Sequence, residues 1–337
     1  MATATKITVI VPFYNAAATI APCLESLLAN DYENFEVIAV DDRSTDDSPA
    51  IAARYDITLL QMIRRSGAAA ARNLAAAAAT GDIFYFADAD VLAPPNMLSR
   101  LAEIFAAEPE LDACFGAYTT LPAASNFTSV YKNLIHHYTH LTSRKHAATF
   151  WCGCGAIRRH VFERANGFNE DYVASSVEDI DLGYRLTKLG ANIQLRSDLR
   201  VTHAKRYTLW TLIRSDLFDR AIPWTRLMAA QNIFRADLNL KAVNIISGFL
   251  LALFLPLAVA ALFVLPREYA QWLVAAVALG YVVLNARICW FVLRVKGLWF
   301  ALAFFVMYII TYIYSVVGFV LGLAQFVWEQ ARKKKGP

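Results

Sequence analysis

The sequence predicts an α/β fold, a mostly parallel sheet covered by helices, followed by an α-helical membrane domain, and three observations predict it. Apolar runs of strand length alternate with stretches of helical periodicity up to about residue 208. Apolar runs long enough to cross a bilayer follow from about residue 242. Polar clusters stand directly after the runs Lys6 to Val11, Phe35 to Val40 and Ile83 to Ala87. In parallel sheets ligands bind beyond the carboxyl ends of the strands.

Lys6 to Val11 (KITVIV), ended by Pro12, and Phe35 to Val40 (FEVIAV), ended by acidic residues, predict two strands. Between them Ala16 to Ala29 carries Ile20, Leu24, Leu27 and Leu28 at helical spacing. Ser48 to Tyr55 predicts a helix, Thr58 to Gln61 a short strand, Ala68 to Thr80 an alanine-rich helix closed by Gly81, and Ile83 to Ala87 a buried strand. The second half of the unit has strand patterns at Ala113 to Tyr118 and Ile193 to Arg196, and helical ones around Val130 to Leu141 and Ile180 to Leu189.

Residues 1–208 thus form one unit, and residues 209–241 an amphipathic segment with Trp210, Trp224, Arg214, Arg220 and Arg226 that suits a membrane interface. A helix packed on a soluble surface has the same pattern. Three apolar segments, Ala242 to Leu265, Tyr269 to Leu293 and Leu298 to Trp328, make residues 242–330 a region of two to three spans before a basic tail, 331–337. With the first unit on the cytoplasmic face, three crossings place Lys333 to Lys335 outside, against the positive-inside tendency. Either the overlong last segment is bent or re-entrant, or this chain is an exception. Arg287, near one end of its segment, is expected to snorkel.

Composition narrows the partners. The formal charge of +4 is small for 337 residues, which argues against nucleic acid. Arg294, Lys296 and Arg332 to Lys335 sit beside the apolar segments, where anionic headgroups attract them. Five cysteines without a metal-ligand rhythm, two in Cys152-Gly153-Cys154, read as reduced packing residues. Met1 to Lys6 is too short and polar for a signal peptide, so the first unit is expected in the cytosol.

Asp88 and Asp90, flanking Ala89 where the chain leaves a buried strand, carry the chemistry. Hard divalent cations prefer carboxylate oxygens and can bridge them to a diphosphate, improving it as a leaving group. Aspartate is common in turns, so the pair alone does not define a site. Its company does. VPFYN (Val11 to Asn15), VDDRSTDD (Val40 to Asp47), SGAAAARN (Ser66 to Asn73), FADAD (Phe86 to Asp90), GFNED (Gly167 to Asp171) and EDIDLGYRL (Glu178 to Leu186) follow in order.

This ordered set, over Ile7 to His203, resembles family 2 glycosyltransferases of the Rossmann-like GT-A fold. The resemblance implies a nucleotide-sugar donor, a UDP-sugar first, and a divalent metal, Mg or Mn. Pro12, Tyr14 and Asn15 then occupy the first nucleotide loop, Asp42 with Asp41 beside it reads the base, and Arg72 lies near the phosphates. Asp88, Ala89 and Asp90 are the metal and ribose segment, and Asp179 in Glu178-Asp179 takes the acceptor's proton. His203 completes the metal shell in some relatives. Trp151 falls where donor sugar and acceptor meet, so its indole could stack on a sugar face or pack in the core. His136, His137 and His140 receive no role. Asp41 to Asp47 as a capped turn, and Glu178 and Asp179 as helix N-terminal charges, are the purely structural alternatives.

Membrane spans beside such a domain point to an acceptor in the bilayer. The Glu178-Asp179 pair favours a hydroxyl of a lipid or lipid-linked glycan, because a polyprenyl phosphate is already an anion and needs little base. Asp219 to Trp224 lacks the Gln-x-x-Arg-Trp spacing of processive synthases. A transporter or an inactive transferase-like head is the rival of another class, but the spans carry only Asn244, Asn285 and Arg287 as polar groups near their edges.

Overall fold

The computed structural model describes residues 5–172, 177–231 and 241–334. The chain divides into two units, Met1–Tyr207 and Thr208–Pro337.

Strand β1 (Ile7–Phe13) is buried at every residue, which is why its sequence is continuously apolar rather than alternating. It pairs in parallel with β2 (Phe35–Asp41) and β4 (Ile83–Phe86), and β2 pairs in parallel with β3 (Thr58–Gln61). The eight-stranded order is β3-β2-β1-β4-β7-β6-β8-β5, where β5 is Val91–Leu92, β6 Ala113–Tyr118, β7 Gly155–Arg158 and β8 Ile193–His203. β7 runs antiparallel to both neighbours, β4 and β6. The sequence did not suggest it, because two glycines and two cysteines around Ala156-Ile157 leave no periodicity to read. β8 extends well past the predicted Arg196: beyond a register shift Arg200 and Val201 pair with β6, and Thr202 and His203 with β5. The two-residue β5 pairs antiparallel with the end of β8, setting Val91 opposite His203.

Helices α1 (Ile20–Leu28), α2 (Ser48–Ala52), α3 (Ala68–Ala78), α4 (Met97–Ala107), α5 (Phe127–Leu141), α6 (Arg159–Arg164) and α7 (Glu178–Lys188) complete the unit. Ala69, Ala70, Ala71, Ala75 and Ala76 of α3 are buried, small enough to bring this helix and its next residue, Arg72, close to the sheet. In α5, Asn133, His137 and His140 fall on one face and bond the carbonyls of Thr119 (2.7 Å), Tyr118 (2.6 Å) and Gly116 (2.8 Å). The Gly116 carbonyl lies within the register shift between Phe115 and Ala117, where ladder bonds are interrupted, and the other two follow it. The unassigned His137 and His140 are therefore strand supports.

In the second unit, Thr208 caps α8 (Leu209–Arg214): its hydroxyl accepts the Thr211 N–H (3.2 Å) while Thr211 Oγ1 accepts the Thr208 N–H (2.8 Å). A π-helical turn, Ser215–Ala221, leads into α9 (Ile222–Gln231). The rest of the predicted amphipathic segment, 232–240, lies outside the described residues. Then come α10 (Ala242–Phe249), a π-helical stretch Leu250–Phe254, α11 (Leu255–Ala261), α12 (Arg267–Lys296) and α13 (Leu298–Lys334). Pro256 follows the π-helical stretch, which accommodates a residue that cannot donate to the helix ladder.

Three helical stretches, Ala242–Ala261, Arg267–Lys296 and Leu298–Arg332, are long and apolar enough to cross a membrane. The last runs as one helix of 37 residues, Leu298–Lys334. At ~1.5 Å per residue it is about 55 Å long, against roughly 30 Å of bilayer hydrocarbon. Of the predicted basic tail, Lys335 to Pro337 lie outside the described residues.

Two contacts organise this unit. A Cβ on Gly318 would stand 2.5 Å from Ala221 Cβ, and one on Gly322 2.8 Å from Ile222 O, so α13 and the 215–225 stretch approach through small residues. Tyr314 OH donates to Asp216 Oδ2 (2.7 Å) before this seam and Arg226 pairs with Glu329 (2.6 Å) after it. The second contact is a polar network. Asn285 Nδ2 donates to Ser247 Oγ (3.0 Å), and Tyr312 OH lies 3.1 Å from both Asn285 Oδ1 and Asn244 Oδ1, joining α10, α12 and α13.

Candidate active site

The strand ends β1 and β2 finish side by side, with Phe13 opposite Asp41, and their loops hold each other. Asn15 takes a left-handed conformation (φ 48°); its Oδ1 accepts the Thr45 N–H (2.8 Å) and its own N–H donates to Ser44 Oγ (2.9 Å). Tyr14 lies under the Arg65 guanidinium, 4.0 Å from its ring centre. Pro12 is within β1, opposite Val40, and buried. Asp41 accepts from the Ser44 N–H (2.8 Å) and Gln61 Nε2 (2.9 Å), and Asp42 from the N–H groups of Ser66 (2.7 Å) and Gly67 (2.9 Å). Asp41 thus bonds within its own turn while Asp42 reaches across to the turn before α3, and each keeps acceptor capacity for a ligand. Gly67, at φ +91° before α3, is required by that turn.

Arg72 is the centre of the site. It is 3% exposed, and its guanidinium donates to Glu178 Oε1 (2.7 Å) through Nη1 and to Asp88 Oδ1 (2.8 Å) through Nη2. Residues from the end of β4, the middle of α3 and the start of α7 thus meet on one buried cation. Burial pushes the Asp88 carboxyl up from its ordinary value, and Arg72 opposes that shift. Ala89 is buried between the two aspartates. Asp90 lies 3.7 Å from His203 Nε2, brought there by the pairing of β5 with β8. Burial works against the ionised Asp90, but the bond and charge of His203, with Lys205, outweigh it and hold its carboxyl low.

Asp179 is half-buried at the start of α7, its Oδ2 accepting the Cys152 N–H at 3.3 Å. Burial first, and then the neighbouring Glu178 charge, push its carboxyl up to about 7, against the pull of Arg72. Of the acidic pair, one residue is committed to an ion pair and the other is poised to take a proton near neutrality. Trp151 is 9% exposed and packs against Tyr118 (4.9 Å between ring centres), His136 (4.5 Å) and His140 (5.2 Å). The core alternative for this indole is the one its packing follows. Tyr118 also stacks on His203 at 4.5 Å with an interplanar angle of 18°, so the same rings brace the imidazole beside Asp90.

Among the described residues no three His, Cys, Asp or Glu side chains gather into a metal cage. The donor chemistry still fits a hard divalent ion. Asp90 and His203 offer an oxygen and a nitrogen, Asp88 a further carboxylate, and Mg or Mn needs only one or two protein carboxylates when a diphosphate supplies the rest.

A sheet whose carboxyl ends gather nucleotide-loop polar groups, paired aspartates and a raised-pKa carboxylate has the architecture of the nucleotide-sugar transferase class. Residues 8–165 match the model for glycosyl transferase family 2 and residues 132–208 that for the N-terminal domain of galactosyltransferase. The family 2 glycosyltransferase match thus lies within the first unit, over residues 8–165. Glycosyltransferase GlyG of Streptococcus pneumoniae is 32% identical over 117 residues, 33% of this chain and 38% of that protein. The pre-mycofactocin glycosyltransferase of Mycobacterium tuberculosis is 29% identical over 213 residues, 60% of this chain and 43% of that protein. These matches span less than half of the relatives' lengths. Among solved structures, the Pyrobaculum calidifontis mannosyltransferase PcManGT, in complex with GDP-Man and Mn2+, has a TM-score of 0.59 at 20% identity, covering 96% of this chain and 88% of its own. Residues 1–349 of S. aureus TarS, in complex with UDP-GlcNAc, reach 0.51 at 21% identity over 91% and 89%. Both share the GT-A fold.

Proposed function

We propose that this protein is an inverting, membrane-bound glycosyltransferase that moves a sugar from a nucleotide-sugar, a UDP-sugar first, to a hydroxyl of a lipid or lipid-linked glycan. The observation that carries this reading is the Arg72 bridge, which joins Asp88 of the donor segment to Glu178, the neighbour of the base Asp179. The loops of Tyr14, Asn15, Asp41 and Asp42 receive the nucleotide. Asp179 accepts the proton of the acceptor hydroxyl as its oxygen bonds to the anomeric carbon and the bond from that carbon to the diphosphate breaks. Asp88, Asp90 and His203 would hold Mg or Mn, which supplies charge neutralisation to the leaving diphosphate when bound. The three apolar helices support an integral membrane protein whose first unit works at the cytoplasmic face, where an acceptor embedded in lipid meets a soluble donor.

The test is a screen of radiolabelled UDP- and GDP-sugars with membrane lipid extract, reading label in the organic phase. Transfer that requires Mn or Mg and disappears in Asp179→Asn is the expected result. Label that moves equally well in Asp179→Asn overturns the base assignment, and label that stays in the aqueous phase with every donor overturns the lipid acceptor. Release of the sugar from the product by mild acid would instead assign a polyprenyl phosphate acceptor.

A further inference from the structure

Asn73 follows Arg72 on α3 and belongs to none of the roles above. Its side-chain Nδ2 donates to Phe168 O (2.9 Å) and to Glu170 Oε1 (2.8 Å), and its Oδ1 accepts the Phe168 N–H (2.9 Å). One amide thus satisfies both main-chain groups of a residue ninety-five positions away, as a neighbouring strand would. Gly167 is shaped to this clamp: it has φ +64°, and a Cβ there would stand 2.6 Å from Asn73 Oδ1. A polar residue that merely ended a turn would bond within its own loop. Meanwhile Arg72 holds Glu178. Phe168 and Glu178 are therefore held by consecutive residues of one helix, itself seated by its buried alanines.

We propose that Asn73 is a positioning residue for Asp179: together with Arg72 it ties the segment bearing the base to the helix that also grips Asp88, and so sets the base against the donor site. The inference rests on the reading of Asp179 as the base. Misplacing a catalytic group by about 1 Å costs on the order of 10²-fold in rate.

Asn73→Asp is the informative variant, because it keeps the shape and the Oδ1 acceptor but turns a second oxygen toward Phe168 O and the Glu170 carboxylate. Asn73→Ala serves as the uncharged check. In the full-length protein in detergent, amide exchange in the first turn of α7 is expected to quicken at least tenfold in both variants. Transfer into lipid extract should lose about 10²-fold in kcat, with Kd for UDP and GDP in the presence of Mn2+ unchanged. Wild-type exchange and kcat in Asn73→Asp would overturn the proposal. So would a parallel loss of diphosphate binding and thermal midpoint, which marks a general fold residue. Asp179→Asn separates the two ideas: if it is inactive while Asn73→Asp is normal, only the positioning role fails, and if it is active the base reading fails and takes this inference with it.

Discussion

At the scale of single residues the site is governed by how few cations face its carboxylates. Asp179, with its carboxyl at about 7, should give a pH–rate profile that rises as pH passes through neutrality, since only the ionised form accepts a proton. Glu178→Gln removes the like charge beside it and should move that limb to lower pH, measured as kcat/KM against pH. The same shift has a stability side. A carboxyl raised above its unfolded value favours the fold below about pH 4 and loses that contribution as pH rises through about 7. Asp179→Asn should therefore abolish transfer and yet raise the thermal midpoint at pH 8. Arg72→Met should instead lower the midpoint, because it strands Glu178 and Asp88 without their buried partner; removing one member of such a pair costs about 3–5 kcal/mol. Loss of folded protein on a thermal melt checks this, and a melt like that of the unaltered chain would show the bridge to be dispensable.

At the scale of elements, the seam between α13 and the 215–225 stretch depends on closeness rather than charge. Gly318→Leu must displace Ala221 or part the helices, and overpacking of that kind costs about 1–3 kcal/mol. The Arg226–Glu329 pair at the end of the seam is exposed on both sides (42% and 39%), where such pairs contribute about 0–1 kcal/mol. Gly318→Leu should thus lower the midpoint in detergent while Arg226→Gln leaves it nearly unchanged; equal effects would refute the ranking. The elements also show why some of this fold could be read and some could not. β1 and β4 were plain because burial on both faces leaves an unbroken apolar run, and β2 because its run from Val37 to Val40 is buried in the same way. β7 and the second half of β8 were not, because neighbours hold those strands extended and their own residues carry no period.

At the scale of the whole molecule, Asp88 and Glu178 share Arg72 while Asp90 and Asp179 add further negative charge to the site, so the first unit should bind UDP or GDP weakly unless a divalent cation accompanies it. Calorimetry with and without EDTA checks this, and equal affinity in both would count against the metal. The acidic motifs were legible as types in order, Asp42, Asp88 and Asp179 among them. The joins between them were not: Arg72 meets Glu178 across 106 positions and Asp90 meets His203 only because β5 pairs with β8. No local pattern encodes a contact at that separation. The polar network of the second unit bears on how the protein is made. Asn244 and Asn285 belong to helices synthesised before Tyr312, whose hydroxyl reaches both of them. On the membrane-bound reading proposed above, two amides enter the bilayer ahead of the hydroxyl that joins them. A chain that stops before Tyr312 should be retained by membrane quality control and degraded faster than one carrying Tyr312→Phe, which still delivers the helix.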